Sequence, residues 1–218
     1  MKHAIPLYLF LLCCLFVSCI NNGVVISSLD NAEAVMFERP DSALKILRTI
    51  DIGDIPYGAL QARFALLYTQ ALDKNYLPIP NDSLIHIAVD YYSQKKEYGK
   101  LGWAYLYQGN MFTQIDSVDL AVIAYKKAQE LLDKYPNDEL LSLVTSEMGS
   151  LYQGQRHYPQ ALELFRASLA ACRRSSNLKN ENYMLGRMGE LLSQLVLFNQ
   201  TNNNHLTFYN HENYYTTT

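Results

Sequence analysis

Residues 105–128 read YLYQGNMFTQIDSVDLAVIAYKKA, and residues 145–168 read TSEMGSLYQGQRHYPQALELFRAS. Laid over each other at an offset of 40 residues, Gly109, Phe112, Ala121, Tyr125 and Ala128 become Gly149, Tyr152, Ala161, Phe165 and Ser168. The internal spacing is the same in both copies: small, aromatic three on, small nine on, aromatic four on, small three on. A repeat unit cannot bury its apolar face alone and has to stack on a neighbour. The repeat therefore sets the expected architecture before any single residue is weighed, and it points to binding rather than catalysis.

Within each copy the small residues belong where two helix backbones approach: Gly109 and Ala121 in the first, Gly149 and Ala161 in the second. Phe112 and Tyr125, or Tyr152 and Phe165, then fill the space between pairs, burying large apolar bodies while a tyrosine tip finds water or a polar partner. The first pair is expected over about Leu101–Thr113 and Val118–Lys134, with Tyr135-Pro136-Asn137-Asp138 ending it. The second is expected over about Glu139–Gln153 and Pro159–Arg174.

Working outward, helical patterning begins at Asn31 to Phe37. A second helix starts at Pro40-Asp41-Ser42 and carries Ala43, Leu44, Leu47 and Ile50 on one face; proline suits a helix's first turn. After a connection holding Gly53 and Pro56, a third helix runs Ala59 to Lys74 with Leu60, Phe64, Leu67, Ala71 and Leu72 as its stripe. A fourth, capped by Asn81 or Asp82, runs through Tyr92. Beyond the second copy, Asn182 to Phe198 reads as one more helix, with Leu185, Met188, Gly189 and Leu192 spaced as the start of a third repeat. Its face of Leu185, Met188, Leu192, Leu195 and Leu197 has little after it, so self-association through helix 182–198, or fraying, is expected. No strand-like alternation persists anywhere. The expected fold is all-α: a right-handed solenoid of antiparallel helix pairs over 31–198.

Both ends differ from this core. Met1-Lys2-His3 is a short positive start, and Ala4 to Val17 is an apolar run without charge, too short for a comfortable membrane span. This is the three-part build of an export signal. Residues 20–30 read as a tether. Asn199 to Thr218 is rich in Asn, Thr, Tyr and His, carries the single charge Glu212, and reads as a disordered tail.

The composition narrows function. The chain has 218 residues, is 49% hydrophobic, carries 17 tyrosines and a net charge of −3. The paired basic residues Lys95–Lys96, Lys126–Lys127 and Arg173–Arg174 are the wet faces of helices. No concentrated basic surface exists to neutralise phosphates, so direct nucleic-acid binding is not expected. Of the 4 cysteines, Cys13 and Cys14 lie in the apolar run and Cys19 follows it, leaving Cys172 as a buried thiol without a disulfide partner.

At these residues the chain resembles known families. Tyr105, Gly109, Phe112, Ala121, Tyr125 and Ala128, then Thr145, Gly149, Tyr152, Ala161, Phe165 and Ser168, are similar to the tetratricopeptide repeat, with clear copies at about 102–135 and 142–175. That repeat is usually 34 residues long. The six extra residues here are expected in the connection around Pro136, to which the usual proline is displaced from Asp133. Leu15-Phe16-Val17-Ser18-Cys19 resembles a bacterial lipoprotein cleavage site, which implies a signal peptide over 1–18, a lipidated Cys19 and a tether over 19–30. Acyl chains anchor stably when more than one is present, at roughly 0.8 kcal/mol per buried methylene. An ordinary cleaved signal with a chance cysteine is the other reading. With Asp41-Ser42-Ala43-Leu44, residues 65–74, Asp82-Ser83-Leu84-Ile85 and Tyr91-Tyr92, the whole stretch resembles tetratricopeptide lipoproteins of the Bacteroidetes. No acidic run follows Cys19, which favours a periplasm-facing membrane protein. Longer members of that group resemble sensors of membrane-bound transcriptional regulators. On that resemblance this chain reads as truncated, lacking transmembrane and output modules.

What the resemblance implies is a non-enzymatic scaffold whose concave groove binds a protein or peptide partner. By position, Trp103, Tyr107 and Asn110 of the first copy, with Ser146 and Ser150 of the second, would line it. The competing reading packs Trp103 and Tyr107 against the Tyr91–Tyr92 helix. Leu106 and Ser146 stand where some members carry a carboxylate-clamping lysine, so that chemistry is not expected. No enzyme is expected either. His3, His86, His157, His205 and His211 have no cysteine or carboxylate at ligand spacing, so no metal is expected. No phosphate loop or nucleophile elbow is present, and no cofactor is expected.

Overall fold

The computed structural model of the chain describes residues 23–79 and 83–215. The described residues are almost wholly helical and hold no strand, as the patterning requires. Nine helices follow one another among them: α1 (23–35), α2 (Pro40–Leu47), α3 (Ala59–Lys74), α4 (Ser83–Lys95), α5 (Tyr98–Gln114), α6 (Val118–Leu132), α7 (Asp138–Gly154), α8 (Tyr158–Arg174) and α9 (Leu178–Tyr215). The chain divides into two compact units, one through Ala128 and one from Gln129.

The helix ends follow one rule. Tyr76, Lys96, Asp116, Arg156 and Ser176 adopt left-handed backbone, with φ of 54°, 58°, 58°, 62° and 55°. Each closes a helix with the same two hydrogen bonds. The residue's own N–H donates to the carbonyl three before it, as in Ser176 to Arg173 at 3.2 Å, and the next N–H reaches five back, as in Asn177 to Cys172 at 3.0 Å. This is the Schellman closure, which satisfies carbonyls the helix leaves orphaned. The closures fall at 76, 96 and 116, then at 156 and 176. Helix plus turn is therefore a 20-residue module.

This corrects the expectation that six extra residues sit around Pro136. The 40-residue repeat is long because each of its halves is long. Position 136, where a further closure would fall, holds a proline, whose φ is fixed negative and which has no N–H to donate. There α6 ends through Tyr135 N–H to Leu131 O at 2.8 Å. The next helix is started by Asn137, whose side chain accepts from Leu140 N–H at 2.9 Å, an ordinary N-cap.

In the first unit α2 packs on α3, α3 on α4, and α4 on α5, while α3 also reaches α5 directly. The odd-numbered helices thus lie beside each other, with α4 behind α3 and α5. Polar side chains join that row. Arg63 of α3 pairs with Asp30 (2.7 Å) and with Glu33 of α1, and Asn110 of α5 donates to Asp73 of α3 at 3.0 Å. In the second unit α8 packs on both α7 and α9, and its core is Ala161, Phe165, Leu169, Cys172, Met184 and Leu191.

The expectation that Gly109 and Gly149 serve a close approach of backbones, with Tyr125 and Phe165 filling the space between pairs, is corrected: each of these rings lies against the glycine of its own pair. Ala121, Tyr125, Ala128, Ala161 and Phe165 are buried. A β-carbon on Gly109 would stand 2.5 Å from Cδ1 of Tyr125, and one on Gly149 would stand 2.5 Å from Cε1 of Phe165. Each glycine receives the aromatic ring of the following helix. Phe112 and Tyr152 are half-buried at the helix ends.

Both ends of the helical region are corrected. Residues 23–30, expected as part of the tether, belong to α1, whose Val25, Leu29 and Ala32 form a buried stripe continued by Met36 just past its end. Spacings of four and three make this an amphipathic helix face. Residues 199–215, expected as a disordered tail, continue α9. After Gly189 no glycine or proline interrupts the chain, and 20 residues beyond Ser176 stands Val196. A β-branched residue is the poorest choice for left-handed backbone, so the turn is not made there. The signal segment 1–18, Cys19 and the Asn81–Asp82 cap lie outside the described residues.

Candidate functional site

Trp103 is half-buried in α5. Its ring meets Phe37 edge-on at 6.0 Å and stacks over Tyr107 at 6.2 Å. Phe37, just past α1, is 45% exposed, and Lys74 at the end of α3 holds its ammonium 4.3 Å from the centre of that ring, within cation–π range. Three elements thus combine into an aromatic patch with a cationic edge. Tyr107 itself is buried. It supports the indole rather than meeting an incoming surface.

Asn110, one turn further along α5, is bound internally. Its Nδ2 donates to Asp73, and its Oδ1 accepts from the Tyr125 hydroxyl at 2.9 Å, which also lies 3.2 Å from Thr113 Oγ1. Burial pushes the Asp73 carboxyl above its ordinary value, against the opposing pull of the Asn110 hydrogen bond and Lys74. This network ties α3, α5 and α6 together. Asn110 is a structural link here, with its amide already satisfied on both sides.

Ser146 and Ser150 lie in the second unit. Ser146 is buried, so its hydroxyl is not offered at the surface. Ser150 donates to Ser146 O at 2.9 Å and accepts from Arg187 of α9 at 3.1 Å. Arg187 also donates to Gln153 at 2.9 Å and to Tyr183 at 3.0 Å. Its guanidinium sits 5.2 Å from the Phe165 ring centre. Neutral oxygens and an aromatic face thus hold this charge, the kind of packing a planar guanidinium accepts and an ammonium does not. The sequence does not mark Arg187, because the 40-residue register picks out small and aromatic positions and not charges.

The aromatic cluster is therefore carried by Trp103 with Phe37, and the second-unit feature by Ser150 with Arg187. Among the described residues, no group of three or more His, Cys, Asp or Glu is placed to hold a metal ion, and no helix is long and apolar enough to cross a membrane. Cys172 is a buried free thiol. No protein-family model, no curated protein and no solved structure matches the chain.

Proposed function

We propose that the chain is a non-enzymatic helical-repeat scaffold of tetratricopeptide type, built as a right-handed solenoid, that binds a protein or peptide partner in its concave groove. The observation that carries this reading is the Trp103–Phe37 pair. A half-buried indole stacked on the Tyr107 ring and edged by an exposed phenyl is the kind of rigid aromatic anchor on which binding energy concentrates. Lys74 beside it would favour a partner with an acidic or carbonyl-rich edge. The scaffold is anchored to the cell-envelope membrane by lipid on Cys19 and faces the periplasm. It self-associates through the outer face of α9.

Recovery of bound partners from solubilised envelopes tests the groove, comparing wild type with Trp103→Ala and Phe37→Ala. Each variant should lose the partner recovered by wild type; equal recovery by both would overturn the reading. Mass spectrometry of wild type against Cys19→Ala tests the anchor: acylation and membrane retention should both vanish in the variant, and an unlipidated wild type would end that claim.

A further inference from the structure

A cleft of about 510 Å³ opens in the first unit between the end of α2, the flank of α3 and the start of α4. This size falls within the range of small-molecule sites. Its apolar floor is Phe64 and Tyr68, one turn apart on α3, with rings stacked at 5.3 Å and 21°. Leu84 closes one side, and Arg48 and Asp51 stand on the loop that forms the other.

The polar groups around this floor are under-used. Arg48 and Asp51 are of opposite charge, three residues apart, and line one cleft, yet they form no ion pair with each other. The Arg48 guanidinium has no carboxylate partner among the described residues, and neither has the Tyr68 hydroxyl a hydrogen bond there. Asp51 is fixed in place because its Oδ1 accepts from Gly53 N–H at 2.8 Å, starting the 3-10 turn Ile52–Asp54. Its Oδ2 stays open. Thr49 pins the loop by donating to Ile46 O at 2.7 Å.

A cation and an anion on one loop beside stacked rings complement a ligand carrying both charges on neighbouring atoms and an apolar group. We propose that this cleft binds a free amino acid with an aromatic or large aliphatic side chain. Arg48 pairs with the α-carboxylate, as a guanidinium does best. Asp51 Oδ2 accepts from the α-ammonium, and the side chain lies on Phe64 and Tyr68. This site is separate from the partner-binding reading and does not depend on it.

Titration calorimetry of the full chain in detergent micelles tests it, with L-phenylalanine as probe beside 3-phenylpropionate, which lacks the ammonium, and phenethylamine, which lacks the carboxylate. Saturable one-to-one binding of L-phenylalanine is expected, weakened at least 10-fold in Arg48→Gln and in Asp51→Asn, and at least 10-fold weaker for phenethylamine on wild type. Asparagine keeps the acceptor that starts the 3-10 turn, so helical circular dichroism should be unchanged. Absence of binding up to about 10 mM, or an Arg48→Gln variant that binds like wild type, would overturn the proposal. Should either variant lose helix, wild type alone decides, because phenethylamine binding as tightly as L-phenylalanine would equally refute the role of Arg48.

Discussion

Gly149 lies against the edge of the Phe165 ring: a β-carbon added to it would stand 2.5 Å from Cε1 and 2.6 Å from Cδ1. Phe165 is fully buried in the core of the second unit and cannot back away. Gly149→Ala therefore sets two effects against each other. Alanine improves helix propensity by about 1 kcal/mol, while overpacking a closed core costs about 1–3 kcal/mol. Overpacking should win, with a lower melting midpoint. Gly189, one repeat later, has nothing within 4 Å of its added β-carbon. Gly189→Ala should show the propensity gain alone and raise the midpoint. Thermal melts of the two variants check this, and equal shifts would contradict the contact.

The left-handed closures make a second pair of opposed expectations. Ser176 holds φ at 55°, a conformation costing an L-residue roughly 1–2 kcal/mol and glycine almost nothing. Glycine's extra freedom in the unfolded chain returns about 0.4–1 kcal/mol of that. Ser176→Gly should thus be mildly stabilising, by about 0.5 kcal/mol, and Ser176→Val should destabilise by more than about 1 kcal/mol. A valine variant that melts with wild type would show that this turn is not held as described.

Asp73 gives a pH signature. Burial raises its folded-state pKa above the ordinary carboxyl value, so the native state binds a proton more readily than the unfolded chain. Its contribution to stability is fully present below the unfolded pKa, near about 3.9, and is lost as pH rises through the raised folded value. Asn110 would still find an acceptor in Asp73→Asn, since an amide oxygen can replace Oδ2. That variant should gain stability relative to wild type at neutral pH, and the gain should shrink as pH falls toward 4. Chemical-denaturation midpoints between pH 4 and 7.5 read this directly; a difference that grows on acidification would reverse the sign and refute it.

These contacts separate what a single sequence displays from what it hides. Gly109 and Tyr125, like Gly149 and Phe165, sit 16 residues apart in both copies, so the pairing could be read from composition at fixed spacing. The 20-residue module could not, because Tyr76, Lys96, Asp116, Arg156 and Ser176 share a backbone conformation and no side-chain chemistry. Its trace is indirect: Leu72, Tyr92, Phe112, Leu132, Tyr152 and Cys172, each four residues before such a position or before Pro136, are all apolar. Its position in the repeat places Asn110 in the groove. Its true partner, Asp73, lies 37 residues away, and nothing local marks that pairing. Likewise the Arg48–Leu84 cleft draws on three elements, none of them distinctive alone. The stripe of α1 is hard to see in the sequence because Asn21, Asn22 and Gly23 read as a linker, although Val25, Leu29, Ala32 and Met36 follow at helical spacing.

The outer face of α9 carries the last expectation. Leu178, Leu185 and Leu192 are spaced by seven and exposed at 71%, 45% and 44%, with Val196 at 54%. Gly189 and Val196 alternate with the last two leucines at spacings of four and three, which is the seam of a coiled coil with leucine at every d position. Met184 and Leu191, one residue before Leu185 and Leu192 and so turned about 100° round the helix from them, are buried against α8, so the exposed leucines are not consumed by the fold. A twofold pairing of two α9 helices would cover the same stripe on both copies. Sedimentation of the protein in density-matched detergent should give twice the mass that mass spectrometry finds for one copy. Leu185→Glu with Leu192→Glu should return the monomer with unchanged helix content, because both side chains already face water in the single copy. A wild type that stays monomeric at about 100 μM, or a double variant that still dimerises, would show that α9 is not the contact.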